Sequence, residues 1–215
     1  MARNKYPEET RRKILDVARR LFYEKGYDNT TIQDIIDGLG GLTKGVIYHH
    51  FKSKQEILKS VVESKGVYDD QFNWYENWQG ETGMEKIKTQ ILKSLQNLER
   101  HAILYSAEVL LKTPRMIGEV YLSCLNENVE YLQVYIDEGI ADGSIVTLYP
   151  KELAEFISLT MNIWLGLNIV KYSKKELENK MYFLQNAFQS INVPIIDNEI
   201  LDATFRLYDY IQSRK

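Results

Sequence analysis

Thr43-Lys44-Gly45-Val46-Ile47-Tyr48-His49-His50 places a hydroxyl, a flexible cation, a phenol and two imidazoles within eight positions. None of these side chains carries negative charge. The chemistry they suit is capture of phosphate oxygens: Lys44 supplies charge, and Tyr48, His49 and His50 can donate hydrogen bonds. Gly45 lets the backbone approach another surface closely. Nucleotide and metal chemistry fit less well. A phosphate-cradling loop needs glycine before its lysine and Ser or Thr after it, whereas Thr43 precedes Lys44 and Gly45 follows. Adjacent histidines point about 100° apart on a helix, a poor geometry for chelation. The chain has no Gly-x-Ser-x-Gly elbow, His-Glu-x-x-His pair or Cys/His cluster. No catalytic residue, cofactor or metal is expected.

The elements that must position these residues are legible around them. Ile14, Leu15, Ala18, Leu21 and Phe22 make one helical stripe, and Gly26 stops that helix. Thr30 and Thr31 precede a second, short helix striped by Ile32, Ile35, Ile36 and Leu39. Gly38, Gly40 and Gly41 break it. Thr43 caps a third helix, Lys44 to about His50, with Ile47 and Phe51 inward. Ser53 with Glu56 forms a capping-box pattern. It opens a fourth helix, about 53–66, with Ile57, Leu58, Val61 and Val62 facing in. Two short helices joined by a glycine turn and backed by a supporting helix form a helix-turn-helix unit, whose last helix lies in the DNA major groove.

Beyond Lys65 the spacing predicts longer helices over 84–98, 102–112, 115–138 (ended by Gly139), 151–171, 174–190 and about 196–212. The one stretch with strand character is Ile145-Val146-Thr147-Leu148. The fold class is all-α: a helix-turn-helix domain over 1–52, then a helical ligand-binding and dimerisation domain over 53–215. The fourth helix connects the two and, running towards Lys65 and Gly66, is the expected lever between them.

Charge distribution agrees. The net charge is −3, yet residues 1–65 carry 13 Lys/Arg against 9 Asp/Glu, and the remainder 14 against 21. A basic head on an acidic body suits a nucleic-acid module joined to a part that does not touch phosphate. The single Cys124 excludes an intramolecular disulfide, and the N-terminus, from Met1 to Lys5, has no apolar signal-peptide region. The longest apolar run, Phe156 to Val170, is interrupted by Ser158, Thr160, Asn162 and Asn168 and is shorter than the ~20 residues of a membrane span. A cytoplasmic protein is expected.

Thr30-Thr31-Ile32-Gln33-Asp34-Ile35 and Leu42-Thr43-Lys44-Gly45-Val46-Ile47-Tyr48-His49-His50-Phe51-Lys52-Ser53-Lys54 resemble the TetR family of bacterial transcriptional regulators. The resemblance covers roughly residues 10–60. It implies a three-helix DNA-binding domain, a helical ligand-binding and dimerisation domain, and repression relieved by a small molecule. It places Thr31, Lys44, Gly45, Tyr48, His49, His50 and Lys54 at the DNA surface, with Tyr48 on phosphate; Thr30, Thr43 and Val46 complete the expected contact set. The chain departs from the family at Ile36, where a small residue is usual, and at Gly40-Gly41, which adds a residue to the turn.

The expected partners are a palindromic double-stranded operator, a second copy of the chain and an apolar or aromatic effector. The body is rich in aromatics, among them Phe72, Trp74, Tyr75, Trp78, Tyr131, Tyr135 and Tyr172, and core packing accounts for most. Tyr105, Glu108, Tyr121, Asn126, Asn162 and Trp164 are the candidate effector contacts, a set whose aromatic faces and acidic group would suit an amphipathic cation. Helix 151–171, apolar nearly all round, and helix 196–212 are the candidate dimer elements. An activator, or an interaction module whose basic head reads no sequence, is the alternative.

Overall fold

The computed structural model describes residues 7–63 and 80–214, and every regular element among them is helical. Phe72, Trp74, Tyr75, Trp78 and the expected run of the fourth helix through Lys65 and Gly66 lie outside the described residues. The chain divides into two compact units, Met1–Gln71 with Ala102–Val109, and Phe72–His101 with Leu110–Lys215. The sequence pattern sets the division at 52/53; by packing, the fourth helix stays with the head.

The head holds α1 (Pro7–Lys25), α2 (Ile32–Gly38), α3 (Lys44–His50) and α4 (Lys54–Glu63). Helices of seven residues do not persist alone in water. Packing holds α2 and α3 in place: Ile14, Ala18 and Phe22 of α1, Ile35 of α2, Ile47 and Phe51 around α3, and Ile57 of α4 form one enclosed core. Each large side chain so buried contributes roughly 1.5–3 kcal/mol. Gly26 takes φ +85°, the left-handed turn that ends α1. Thr31 caps α2 in a full capping box with Asp34. Ser53 accepts the Glu56 N–H, but the reciprocal Glu56 carboxylate reaches the Lys52 N–H instead.

Along the chain after α4 come α5 (Gly83–Gln96), α6 (Leu98–Tyr105), α7 (Glu108–Leu111), α8 (Pro114–Leu125), α9 (Glu127–Asp142), α10 (Pro150–Leu159), α11 (Lys174–Ser190) and α12 (Asn198–Ser213), of which the end of α6 and the start of α7 belong to the first unit. In the second unit α9 packs on α5, α8 and α10, and α12 packs on α5. The start of α5 sits so close to α9 that a Cβ at Gly83 would overlap the backbone of Tyr135 and Gly139.

Several expected helices are divided. The stretch 102–112 breaks between α6 and α7. The stretch 115–138 breaks at Asn126, whose φ −119° and ψ −90° leave the helical region. Gly139 does not end α9; Gly143, at φ +80°, does. Residues 145–148 form a loop, with Ile145 alone buried. The helix expected over 151–171 widens at Thr160 into a π-helical turn, Thr160–Leu165, and stops at Gly166, φ +51°. Its end carbonyls have been taken over: Lys180 donates to the Trp164 carbonyl and Tyr172 to that of Leu165, both at 2.6 Å.

Candidate nucleic-acid interface

Ile47 and Phe51 anchor α3 to the core, and that periodicity turns the other side of the helix to solvent. Thr43, Lys44, Gly45, Tyr48 and His49 are exposed there, and Val46 is half-buried. Thr43 has the extended conformation of an N-cap, but its hydroxyl makes no cap bond. A Cβ at Gly45 would meet nothing nearer than the Thr43 hydroxyl at 3.8 Å, so the first turn of α3 has an open front. The Lys44 ammonium lies 5.9 Å from the Tyr48 ring centroid, placing charge and phenol side by side.

His49 and His50 differ. Their rings meet edge to face at 5.3 Å, and His49 is exposed. Nε2 of His50 is buried with no hydrogen-bond partner. Burial first, then the neighbouring His49 and Arg11, hold His50 below the usual imidazole range. Arg11, which the sequence pattern did not single out, stacks 5.1 Å over Phe51 and donates to the Ser60 hydroxyl at 3.2 Å.

Three expected DNA contacts have other work. Thr30 is 1% exposed, and its hydroxyl donates to the Gly26 carbonyl at 2.7 Å. It is an internal peg of the α1–α2 turn and presents nothing to the surface. Thr31 is exposed, but its hydroxyl donates to Asp34 at 2.6 Å. Lys25 at 2.8 Å, with Thr31, holds the Asp34 carboxyl well below the usual carboxylate range. Lys54 points inward: its ammonium donates to the carbonyls of Tyr27 and Thr30, both at 2.8 Å, and lies 4.1 Å over the Tyr27 ring. Burial pushes the Tyr27 phenol up to about 12. Ser106 holds the same turn, accepting the Tyr27 N–H at 2.8 Å. Nothing near Ser106 in sequence signals that role; a separation of 79 residues hides it.

The two units divide the six expected effector contacts. Tyr105 and Glu108 group with the head, the other four with the body. Asn126 and Asn162 are exposed, and each amide turns back to its own helix, donating to the Leu122 and Ser158 carbonyls at 2.7 and 2.9 Å. Tyr121 and Trp164 are also exposed. Asn126 is itself the residue at which the helix breaks, and Asn162 and Trp164 lie in the π-helical turn. The body buries Gln90, His101, Ser158, Thr160 and Thr204 instead. His101 meets the Asn168 amide at 2.9 Å and the Ser94 carbonyl at 3.1 Å. Burial, then the Arg100 charge, pushes it down to about 4. A neutral ring has one N–H, so it donates to the Asn168 Oδ1 or to the Ser94 carbonyl, and not to both at once.

Residues 14–61 match the family described as bacterial regulatory proteins, tetR family. The HTH-type transcriptional repressor KstR2 of Rhodococcus jostii is 30% identical over 165 residues, 73% of this chain and 78% of that one. The HTH-type transcriptional regulator TtgR of Pseudomonas putida is 42% identical over 57 residues, 26% of this chain and 27% of its own. Among solved structures, a tetR-family regulator of Pectobacterium atrosepticum superposes with a TM-score of 0.62 at 24% identity, over 88% of this chain and 97% of that one. The motif running from Thr30 to Lys54, the three helices that display it and a relative aligned along most of both chains agree: this chain is a transcriptional regulator of the tetR family.

Proposed function

We propose that the chain is a cytoplasmic homodimeric repressor that holds a palindromic operator and leaves it when a small molecule binds the body. The observation that carries the DNA reading is the open face of α3, where Thr43, Lys44, Gly45, Tyr48 and His49 stand clear of the core. Their charge and donors suit phosphate and base edges, while Ile47 and Phe51 fix the helix behind them. The named repressor role of KstR2 supports the sign of regulation. Among the described residues no helix is long and apolar enough to cross a membrane.

The dimer reading rests on apolar surface left open in the second unit. Phe156 of α10, Trp164 of the π-helical turn, and Tyr182 and Phe183 of α11 are exposed, with Trp164 and Phe183 in ring contact at 5.8 Å. α12, an expected dimer helix, buries Ile200, Leu201, Leu207 and Ile211 inside the monomer but leaves Phe205 and Tyr208 half-buried, with the Phe205 ring 6.2 Å from that of Tyr182. α11 joins it in the proposed interface. Two copies paired there would carry two recognition helices, as half-sites one DNA turn, about 34–36 Å, apart require.

Fluorescence anisotropy tests the reading, using duplex DNA from upstream of the chain's own gene against scrambled duplex. Sequence-selective binding whose log affinity falls linearly with log salt supports it. Equal weak binding to both duplexes refutes it. A released repressor must also obey reciprocity: saturating DNA should weaken effector binding by the same factor, typically ~1–3 kcal/mol of coupling.

A further inference from the structure

The end of the π-helical turn gathers more contacts than a surface helix end needs. Lys180 and Phe183 stand one turn apart on α11, and both reach Trp164. The Lys180 ammonium lies 3.8 Å from the Trp164 ring centroid and donates to the Trp164 carbonyl at 2.6 Å. The same ammonium is 5.2 Å from the Tyr172 ring centroid, and the Tyr172 hydroxyl donates to the Leu165 carbonyl. Glu176 stands four residues before Lys180 on α11, the spacing of a helical ion pair, but its carboxylate accepts from the Ser173 N–H and hydroxyl. The lysine is committed to the tryptophan instead.

Trp164 is 43% exposed. Water can satisfy its carbonyl at such a site, and ordering a lysine there costs side-chain entropy. The arrangement becomes favourable where water is excluded. A carbonyl at a covered helix end must find a donor within the protein, or it is left unmet. A tryptophan whose rotamer is already held loses less freedom when a partner closes over it. Trp164 also has the large, amphipathic ring typical of residues that dominate association energies.

We infer that Trp164 is the anchor by which two copies of this chain associate, and that Lys180 is the positioning residue that holds it ready. This rests on the homodimer reading above. Lys180 acts through Trp164: it fixes the ring by stacking on it and the backbone beneath by its hydrogen bond. The π-helical turn makes this possible, because its stop at Gly166 leaves the Trp164 and Leu165 carbonyls for side chains to take.

Sedimentation of the fluorescently labelled whole chain, diluted through the dissociating range, makes the test. The wild type is expected to be a dimer. Lys180→Met keeps the aliphatic stem but removes the charge and the donor. It should raise the dissociation constant by about 10-fold, the scale of leaving one side chain to be ordered on association. Lys180→Arg can stack on the ring and donate to the carbonyl, and should stay within about 3-fold of wild type. Trp164→Leu should raise the constant by at least ~30-fold. In the Trp164→Leu background, Lys180→Met should add no more than about 3-fold, because the lysine has lost the ring it holds. A role in folding alone is read separately. In the Phe183→Asp chain, expected to be a monomer, adding Lys180→Met should move the melting temperature by under about 2 °C, because water replaces an exposed bond. A wild type that stays monomeric at every concentration refutes the dimer reading, and the anchor with it. Four results refute the anchor while the dimer stands: a dimer indifferent to Lys180→Met, no rescue by Lys180→Arg, the same loss from Lys180→Met with and without Trp164, or a larger fall in the monomer's melt.

Discussion

Replacing Lys54 by Met asks whether this residue touches DNA or holds the head together. Two charge-assisted hydrogen bonds contribute roughly 1.5–3 kcal/mol each in gross terms, and the ammonium over Tyr27 adds about 0.5–1. Against this, burial lowers the Lys54 pKa, so the fold disfavours its charge relative to water and part of the gross gain is spent on desolvation. Tyr27 keeps the Thr30 N–H at 3.1 Å after the change, while the Thr30 carbonyl loses the donor that Lys54 brings. Met refills the aliphatic stem, so no cavity forms. The net expectation is a loss of about 1–2 kcal/mol, the scale of one unmet buried carbonyl. Salt dependence separates the roles. Each phosphate contact contributes about −0.9 to the slope of log affinity against log salt. Anisotropy titrations from about 50 to 300 mM salt should give Lys54→Met the wild-type slope, with affinity lowered by one factor throughout. Lys44→Met should flatten the slope by about 0.9 with an unchanged melt. A Lys54→Met slope flattened by that amount, with an intact melt, would refute the internal role.

Gly41 holds φ +131°, and a Cβ there would meet nothing within 4 Å, so Gly41→Ala should cost about 1–3 kcal/mol through backbone strain alone, read by urea unfolding. Phe183, 62% exposed, should tolerate Asp in the isolated chain; Phe183→Asp is expected to sediment as a monomer with an unchanged melt, and a surviving dimer would place the interface elsewhere. His101 gives a pH dependence. Its folded pKa, about 4, lies below the ordinary 6.5, so the unfolded chain takes up the proton first. The stability of the neutral ring is complete above pH 6.5 and is lost as pH falls from there towards 4. Between 6.5 and about 5 the loss is about 2 kcal/mol at 1.36 kcal/mol per unit. His101→Gln should remove most of that acid slope in urea unfolding, with the buried imidazole of His50 leaving a smaller remainder of the same sign.

The head was legible because its determinants are local. The stripe of α1, the Thr31 capping box and the Ile47–Phe51 anchor of α3 each lie within a few residues of what they organise. What that reading missed inside the head comes from afar: Lys54 bonds residues 24 and 27 positions away, and Ser106 one 79 away. A lysine beside a DNA-binding motif reads as a phosphate contact until its carbonyl partners are seen. Thr30 misled in the same way, because a threonine near a helix start looks like a cap whether its hydroxyl faces out or in.

In the body the errors have one cause. Helix-length periodicity assumes an unbroken 3.6-residue repeat, and α8–α9 and α10 with its π-helical turn both violate it. One wide turn at Thr160 shifts every later side chain around the axis, which is how Trp164 and Asn162 come to face solvent rather than an interior site. The break also leaves carbonyls that Lys180 and Tyr172 must satisfy from farther along the chain. Two of the polar candidates for effector contact, Asn126 and Asn162, stand at these irregularities. α5 is continuous, and there the stripe runs true from Met84 to Leu95 with a single polar interruption. Where the repeat is unbroken, periodicity and burial agree: Met84, Ile87 and Leu95, spaced as one helical face, are all buried.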